Sequence, residues 1–349
     1  MLEQKTIAVV IPAYNEESQI HHVLESMPEF VDRIIVVDDC STDKTSAIVL
    51  AFMAAANKNS QKAITRREIP LTKFNRADRV LQDMSLKEKE YYTPAEIINQ
   101  QPDTDRIIFI KHTTNGGVGA AIASGYKWCV DHRIDCTAVM AGDGQMDPAE
   151  LESICHPVIY EDIDYVKGNR LIHRSAWLVI PKTRYLGNSI LSILTKIASG
   201  YWQLMDPQNG YTAISSRALE RINLDSLYPR YGYCNDLLVK LNVNGFRIKN
   251  VPHPARYGKE KSGIKYSTYI VRVSKLLLKD FLWRLKTKYM VLSFHPLVFF
   301  YIFGALLTGA GVISGIYTLY HKFIEGGAFF DRAIISLIVF GLGIQLLFF

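Results

Sequence analysis

The chain has 349 residues, 48% of them hydrophobic, and a net charge of +6, enough for one large α/β domain with a buried core plus something smaller. Its five cysteines, Cys40, Cys129, Cys136, Cys155 and Cys234, have no CxxC spacing, which excludes a cysteine zinc site and a disulfide framework. The positive charge is local: residues 257–288 hold nine Lys or Arg against two acids, and a basic segment abutting an apolar run fits anionic lipid better than nucleic acid.

The amino-terminal "MLEQKTIAVVIPAY" has no basic n-region or small-residue cleavage site, so the first domain is expected to stay on the cytoplasmic side. Four near-continuous apolar runs, "TIAVVIPAY", "RIIVVDDC", "RIIFIKHT" and "CTAVMAGDG", read as parallel strands covered on both faces. Between the first two lies a helix with Ile20, Val23, Leu24 and Met27 at helical spacing and Asn15 or Ser18 as its cap. Further helices follow from "STDKTSAIVLAFMAAA" and "NGGVGAAIASGYKWCV". The alternation predicts an α/β fold with an open, mostly parallel sheet, whose ligands sit beyond the carboxyl ends of the strands.

Residues 58–105 interrupt this pattern as a charged insertion, partly helical or a loop, with "SLKEKEYYTPAEIINQQ" as its best helix. Toward the end, "KYSTYIVRVSKLLLKDFLWRLKTK" puts Arg272, Lys275, Lys279 and Lys286 on one helical face and Ile270, Val273, Leu277 and Phe281 on another. That is the pattern of a helix lying in a membrane interface, or of a surface helix packed on the domain. Leu297–Tyr320 is an uncharged run long enough to span a bilayer, and Ala333–Phe349 is a second run at the lower limit. The expected division is residues 1–256 as the α/β domain, 257–290 as a basic loop with interfacial helices, and 291–349 as two transmembrane helices, oriented by the positive charge toward the cytoplasm.

Asp38 and Asp39 close the second strand. Adjacent carboxylates there serve packing poorly and suit a base, a ribose or a divalent ion; the alternative is a solvated turn with Asp43 capping the next helix. Asn115-Gly116-Gly117-Val118-Gly119 enters a helix as a phosphate-cradling turn would, but lacks the GxGxxG spacing of dinucleotide binding. In "MAGDGQMDP" the strand stops at a polar turn carrying Asp143 and Gln145, with Asp147-Pro148 opening the next helix.

In order, "IPAYNEE", "VVDDCSTDKT", "NGGVGAAIASGY", "AGDGQMDP", "KGNR", "DPQNGYTAIS" and "GYCNDLLVKLNVNGFRI" resemble the family 2 glycosyltransferases of GT-A fold, from about Ile7 to Arg256. With "RYGKEKSGIKY" and two carboxyl-terminal spans, the chain looks like the polyprenyl-phosphate glycosyltransferases, of the dolichyl-phosphate mannose synthase and GtrB type. The resemblance implies nucleotide binding by Pro12, Tyr14, Glu16, Asp38, Asp39, Gly116 and Asp143, with Asp39 on the nucleoside. It implies Mg²⁺ or Mn²⁺ at Asp143 and Gln145, where Ala141 replaces the first acid of the family's DxDxQ stretch. An ion that keeps waters and substrate phosphates tolerates that loss, so nucleotide is expected to strengthen metal binding.

Arg170, Arg184 and Asn188 match positions that bind the acceptor phosphate, a task suited to arginine's planar fork. Asp236 matches the catalytic acid, to act as base or to orient the sugar or acceptor. Asp206, Asn209 and Gly210 are expected to shape the sugar and acceptor side, and Arg256, Lys259, Lys261 and Ser262 to form a lid over the diphosphate. The implied reaction is inverting, metal-dependent transfer of one sugar from a UDP- or GDP-sugar to undecaprenyl or dolichyl phosphate. The partners are the donor, polyprenyl phosphate and membrane lipid, with a homo-oligomer left open and no nucleic acid. Two rivals are a processive polysaccharide synthase, which lacks a QxxRW stretch here, and a non-catalytic nucleotide-sugar-binding membrane subunit, which Ala141 motivates.

Overall fold

Near-continuous apolar, β-branched-rich runs make the central strands, with charges such as Arg33, Asp38 and Lys111 at or next to their ends. β1 (Ile7–Ala13), β2 (Arg33–Asp38), β4 (Ile107–His112) and β5 (Cys136–Val139) are buried almost throughout, which requires helices on both faces. A computed structural model describes residues 5–56, 63–65, 72–88, 93–171, 182–254, 266–326 and 329–348. It supplies those helices: α1 (Ile20–Glu25), α2 (Thr45–Ala56) and α5 (Leu151–Tyr160) cover one face, and α4 (Val118–Asp131) lies against the other. The chain divides into two compact units, residues 1–281 and 282–349.

The eight-stranded sheet has the order β3-β4-β2-β1-β5-β7-β6-β8, with β3 (Ala95–Ile97), β6 (Tyr165–Asn169), β7 (Thr212–Ser215) and β8 (Ile248–Pro252) completing it. The expected parallel centre is present in β4-β2-β1-β5, and β6 and β8 are also parallel. β3 and β7 run antiparallel to their neighbours, so the whole sheet is mixed. β3 corrects the reading of the insertion. The helix there is α3 (Arg76–Glu88), ahead of most of the expected segment, and Pro94, which denies a helix its N–H, precedes the strand instead.

After β6 come α6 (Lys182–Ser199), α7 (Ser216–Arg221), α8 (Tyr233–Val243) and α9 (Tyr266–Lys286). α9 corrects a second expectation. Its Val273 and Leu277 are buried in a cluster with Leu191, Ala198 and Val239, and Ile270 and Phe281 pack against that cluster. The face proposed to meet lipid therefore meets α6 and α8. A different pair on α9, Val271 and Leu278, is exposed, as are Ile190, Ile193 and Ile197 at helical spacing on α6.

In the second unit, α10 (Leu297–Tyr320) and α11 (Phe330–Phe348) form an antiparallel-type pair held through small residues. A Cβ on Gly311 would stand 2.6 Å from the Phe340 amide nitrogen, and one on Gly343 2.3 Å from that of Thr308. Ser314 and Ser336 share a hydrogen bond of 2.8 Å between the helices. Outward, Leu306 and Ile313 are 64% and 70% exposed, and both helices are long and apolar enough to cross a membrane.

Candidate active site

The carboxyl ends of β1 and β2 are tied to each other through their loops. Asn15, at a φ of 57°, donates its backbone N–H to Ser41 Oγ (3.0 Å) and accepts from the Thr42 N–H on Oδ1 (2.8 Å). The Glu16 N–H donates to Thr45 Oγ1 (2.8 Å), and the Lys44 N–H to Glu17 Oε2 (3.0 Å). Asn15 is thus a loop brace rather than a helix cap; α1 starts after Gln19 without a side-chain cap. Pro12 and Tyr14 lie on this rim, with Tyr14 48% exposed and able to offer its ring to a ligand.

Asp38 and Asp39 are buried and committed. Asp38 accepts from the Ser41 N–H (2.9 Å) and the Ser46 hydroxyl, bracing the β2 turn. Asp39 accepts from the N–H groups of Gly116 (2.8 Å) and Gly117 (2.7 Å), and its Oδ1 lies 2.8 Å from His112 Nδ1. The Ala120 N–H donates to Pro229 O (3.0 Å). The Gly116 and Gly117 amides of the expected phosphate cradle therefore bond a protein carboxylate in this structure. Glycine is needed because Gly117 has a φ of 93° and a Cβ there would stand 2.7 Å from Pro229 O.

The Asp143 turn packs beside β1, where the Gly142 N–H donates to Pro12 O (3.3 Å). Asp143 Oδ1 accepts from the Gln145 N–H (3.0 Å), and Gly144 takes a φ of 71°. Asp147 caps the short helical turn Pro148–Glu150 through the Ala149 N–H, as its sequence position suggests. Burial raises the Asp143 pKa above the usual carboxylate range, and the Gln145 amide and the Arg170 charge only partly oppose it. A desolvated carboxylate of this kind suits a hard divalent cation, and the Gln145 side chain is near in sequence to add a neutral oxygen. Among the described residues there is no group of three His, Cys, Asp or Glu placed to hold a metal ion.

Arg170 follows β6 and grips Asp206 with two bonds, Nε to Oδ2 at 2.8 Å and Nη2 to Oδ1 at 3.2 Å. Asp206 is 1% exposed. Burial alone would raise its pKa, but Arg170 and then Lys167 outweigh that and hold it below the usual range. Lys167 donates to Asn209 O (2.6 Å), and Asn209 Nδ2 donates to Gly168 O (2.8 Å). Arg170 is thereby fixed where its charge is felt at Asp143. Asn188 is half-buried on α6; the Arg184 side chain and the expected lid, Arg256, Lys259, Lys261 and Ser262, lie outside the described residues.

Asp236, expected as the catalytic acid, is 5% exposed and spent on structure. Its Oδ2 accepts from the Tyr228 N–H (2.7 Å) and its Oδ1 from Lys240 one turn on, while Lys240 also donates to Ser226 O (3.0 Å). Through these bonds Asp236 fixes the loop Tyr228–Gly232. That loop lies over the start of α4, and Tyr231 on it feels the charges of Asp143 and Glu16, which with partial burial raise its phenol pKa.

A glycosyl transferase family 2 model matches residues 8–74, which hold the β1 and β2 loops described above. The chain is 28% identical to the UDP-N-acetylglucosamine–dolichyl-phosphate N-acetylglucosaminyltransferase of Methanococcus voltae over 72% of its length and 86% of that protein's. It is 24% identical to the polyprenol monophosphomannose synthase of Mycolicibacterium smegmatis, over 71% and 76% of the two chains. Residues 8–74 thus match the family 2 glycosyl transferases. The crystal structure of glucosyl-3-phosphoglycerate synthase from M. tuberculosis matches the fold with a TM-score of 0.50 at 18% identity, covering 80% of this chain and 81% of that one.

Near this site, His112, Ser124 and Tyr231 were missed by sequence reasoning. His112 had a signal: in "IIFIKH" the alternation puts Lys111 outward and turns His112 inward, a buried polar residue at a strand end. Tyr231 had none, since a loop tyrosine gains its meaning only when the chain returns over α4.

Proposed function

We propose that this glycosyltransferase moves one sugar from a UDP- or GDP-sugar to a polyprenyl phosphate at the cytoplasmic face of a membrane, with inversion and with a divalent metal. The observation that carries the reading is that the Asp143 turn after β5 and Arg170 after β6, fixed by its two bonds to Asp206, stand at the same end of the sheet, since Val139 and Lys167 both pair with Thr212 of β7. Such a site suits two phosphate-bearing ligands side by side. The dolichyl-phosphate and polyprenol activities in the names of the two relatives, and the two apolar carboxyl-terminal helices, support a lipid acceptor.

In this reading Tyr14 and the braced β1 and β2 loops seat the nucleoside, and Asp39 holds the glycine turn beneath it. Asp143 and Gln145 would hold Mg²⁺ or Mn²⁺, which when bound offsets negative charge on the departing diphosphate. Arg170, with Arg184 and Asn188, orients the acceptor phosphate, and the basic lid residues cover the diphosphate. A phosphate oxygen forms the new bond to the anomeric carbon as the bond to the nucleoside diphosphate breaks on the opposite face. A phosphate monoester is already anionic near neutral pH, so no base is required, in keeping with Asp236 being bound to Lys240. Exposed Ile190, Ile193 and Ile197 with Val271 and Leu278 give this domain an apolar surface for lipid, beside the basic Arg272, Lys275 and Lys279.

Asp143→Ala tests the site. It should lower transfer by about 100-fold or more while leaving the unfolding temperature within a few degrees of wild type. Transfer unchanged in a folded variant would remove Asp143 from the mechanism.

A further inference from the structure

Away from the transfer site, a pocket of about 420 Å³ opens between the insertion and α4. Its existence follows from topology. β3 is an edge strand whose Ala95 and Ile97 pair with His112 and Ile110 of β4, and the short Ala95 side chain leaves room beside α4. The wall is apolar at Ala95, Ile97, Pro102, Ile110 and Trp128. The charged groups at its margin are paired among themselves: Lys127 with Asp131 at 2.7 Å, and His132 Nε2 with Asp103 at 3.5 Å. Burial lowers the His132 pKa from its ordinary value, and its Nδ1 lies 2.8 Å from Trp128 O.

One wall group is unsatisfied. Trp128 is 4% exposed, and its Nε1–H has no hydrogen-bond partner among the described residues. Its ring is stacked on His132, with centroids 3.9 Å apart and planes at 14°, so the indole is held in place.

The pocket also touches the nucleotide side of the domain. Ser124 lines it, and Ser124 Oγ lies 2.9 Å from His112 Nε2, whose Nδ1 lies 2.8 Å from Asp39. Asp39 in turn holds the amides of Gly116 and Gly117. A second link runs through β3: Thr93, also in the wall, lies so close to Gly116 that a Cβ there would stand 2.4 Å from its Oγ1.

We propose that this pocket is an effector site for an uncharged, mainly apolar small molecule that packs beside the Trp128 indole, and that its occupancy changes nucleotide affinity through Ser124, His112 and Asp39. The apolar walls and mutually paired rim exclude a strongly charged ligand, and the volume fits a molecule of one or two rings. The coupling, though not the site, rests on the reading that the strand ends bind a nucleotide.

The test uses the full chain in detergent, with ¹⁵N-labelled tryptophan, and acetophenone as the probe. One indole N–H signal, identified by its loss in Trp128→Phe, should shift and saturate. UDP and GDP affinities measured by calorimetry with and without saturating probe should differ by about fivefold or more for the nucleotide that binds. Ser124→Ala should keep the indole shift and lose that difference, whereas Ala95→Trp, at an exposed edge position, should abolish the shift by filling the pocket. Absence of a saturable Trp128 shift, or its persistence in Ala95→Trp, overturns the site. A shift with unchanged nucleotide affinity overturns the coupling. If neither nucleotide binds, the functional reading fails with the coupling, and the site is judged on the indole shift alone.

Discussion

Replacing Arg170 by alanine strands the Asp206 carboxylate, which is 1% exposed and held by the guanidinium fork. Breaking a buried pair from one side costs about 3–5 kcal/mol, so Arg170→Ala should unfold at a clearly lower temperature as well as lose transfer; an unchanged melting curve would contradict the bidentate pair. Asp280 behaves in the opposite sense. Burial, then the Asp236 charge, pushes its pKa from 3.8 to about 7, against Lys240 and Lys279. Its Oδ2 has no hydrogen-bond partner among the described residues. The folded state then holds a proton that the unfolded state has lost, so this group lowers stability progressively as pH rises from about 4 to about 7. Asp280→Asn should match wild type in thermal unfolding near pH 4 and exceed it increasingly up to pH 7, with a constant advantage above; no advantage at pH 8 would contradict the raised pKa. The candidate residues at strand ends were legible because carboxylates after an apolar run have few structural uses. What each carboxylate does was not, because Asp39 and Asp236 find their partners at Gly116, His112 and Tyr228, which the fold brings in from outside their own segments.

At the scale of elements, the edge strand β3 depends on Asn99. Its Nδ2 donates to Ile107 O (2.7 Å) and Asp105 Oδ2 (2.8 Å), and its Oδ1 accepts from the Phe109 N–H (2.7 Å). Asn99→Ala should therefore speed amide hydrogen exchange at Phe109 and along β3, leaving β1 and β5 protected; equal protection at Phe109 would contradict this brace. The parallel strands could be read from sequence because each is a continuous apolar run buried on both faces. β3 could not, since three residues on an exposed edge carry no period and their partner is set by β4. α9 shows the opposite limit: its amphipathic pattern was evident, but two apolar stripes share the helix, and only packing selects the one at Val273 and Leu277 to face α6 and α8.

For the whole molecule, the proposed function joins a nucleotide-sugar site, in the region that matches family 2, to the apolar pair α10 and α11, each long and apolar enough to cross a membrane. That combination suits a reaction whose donor is water-soluble and whose acceptor is confined to a bilayer. The ordered motifs made the domain legible as a family, since strand ends, turns and helix starts recur along most of its length. The sugar was not legible, because hydroxyl contacts are set by side-chain geometry that the motifs leave open. The most direct test supplies the full-length protein in membranes with Mg²⁺ or Mn²⁺, each common radiolabelled UDP- or GDP-sugar, and either polyprenyl phosphate or polyprenol. The account predicts organic-extractable label with at least one donor, dependent on the metal and on the acceptor phosphate; no label in the lipid fraction with any donor, or equal transfer to polyprenol, would contradict it.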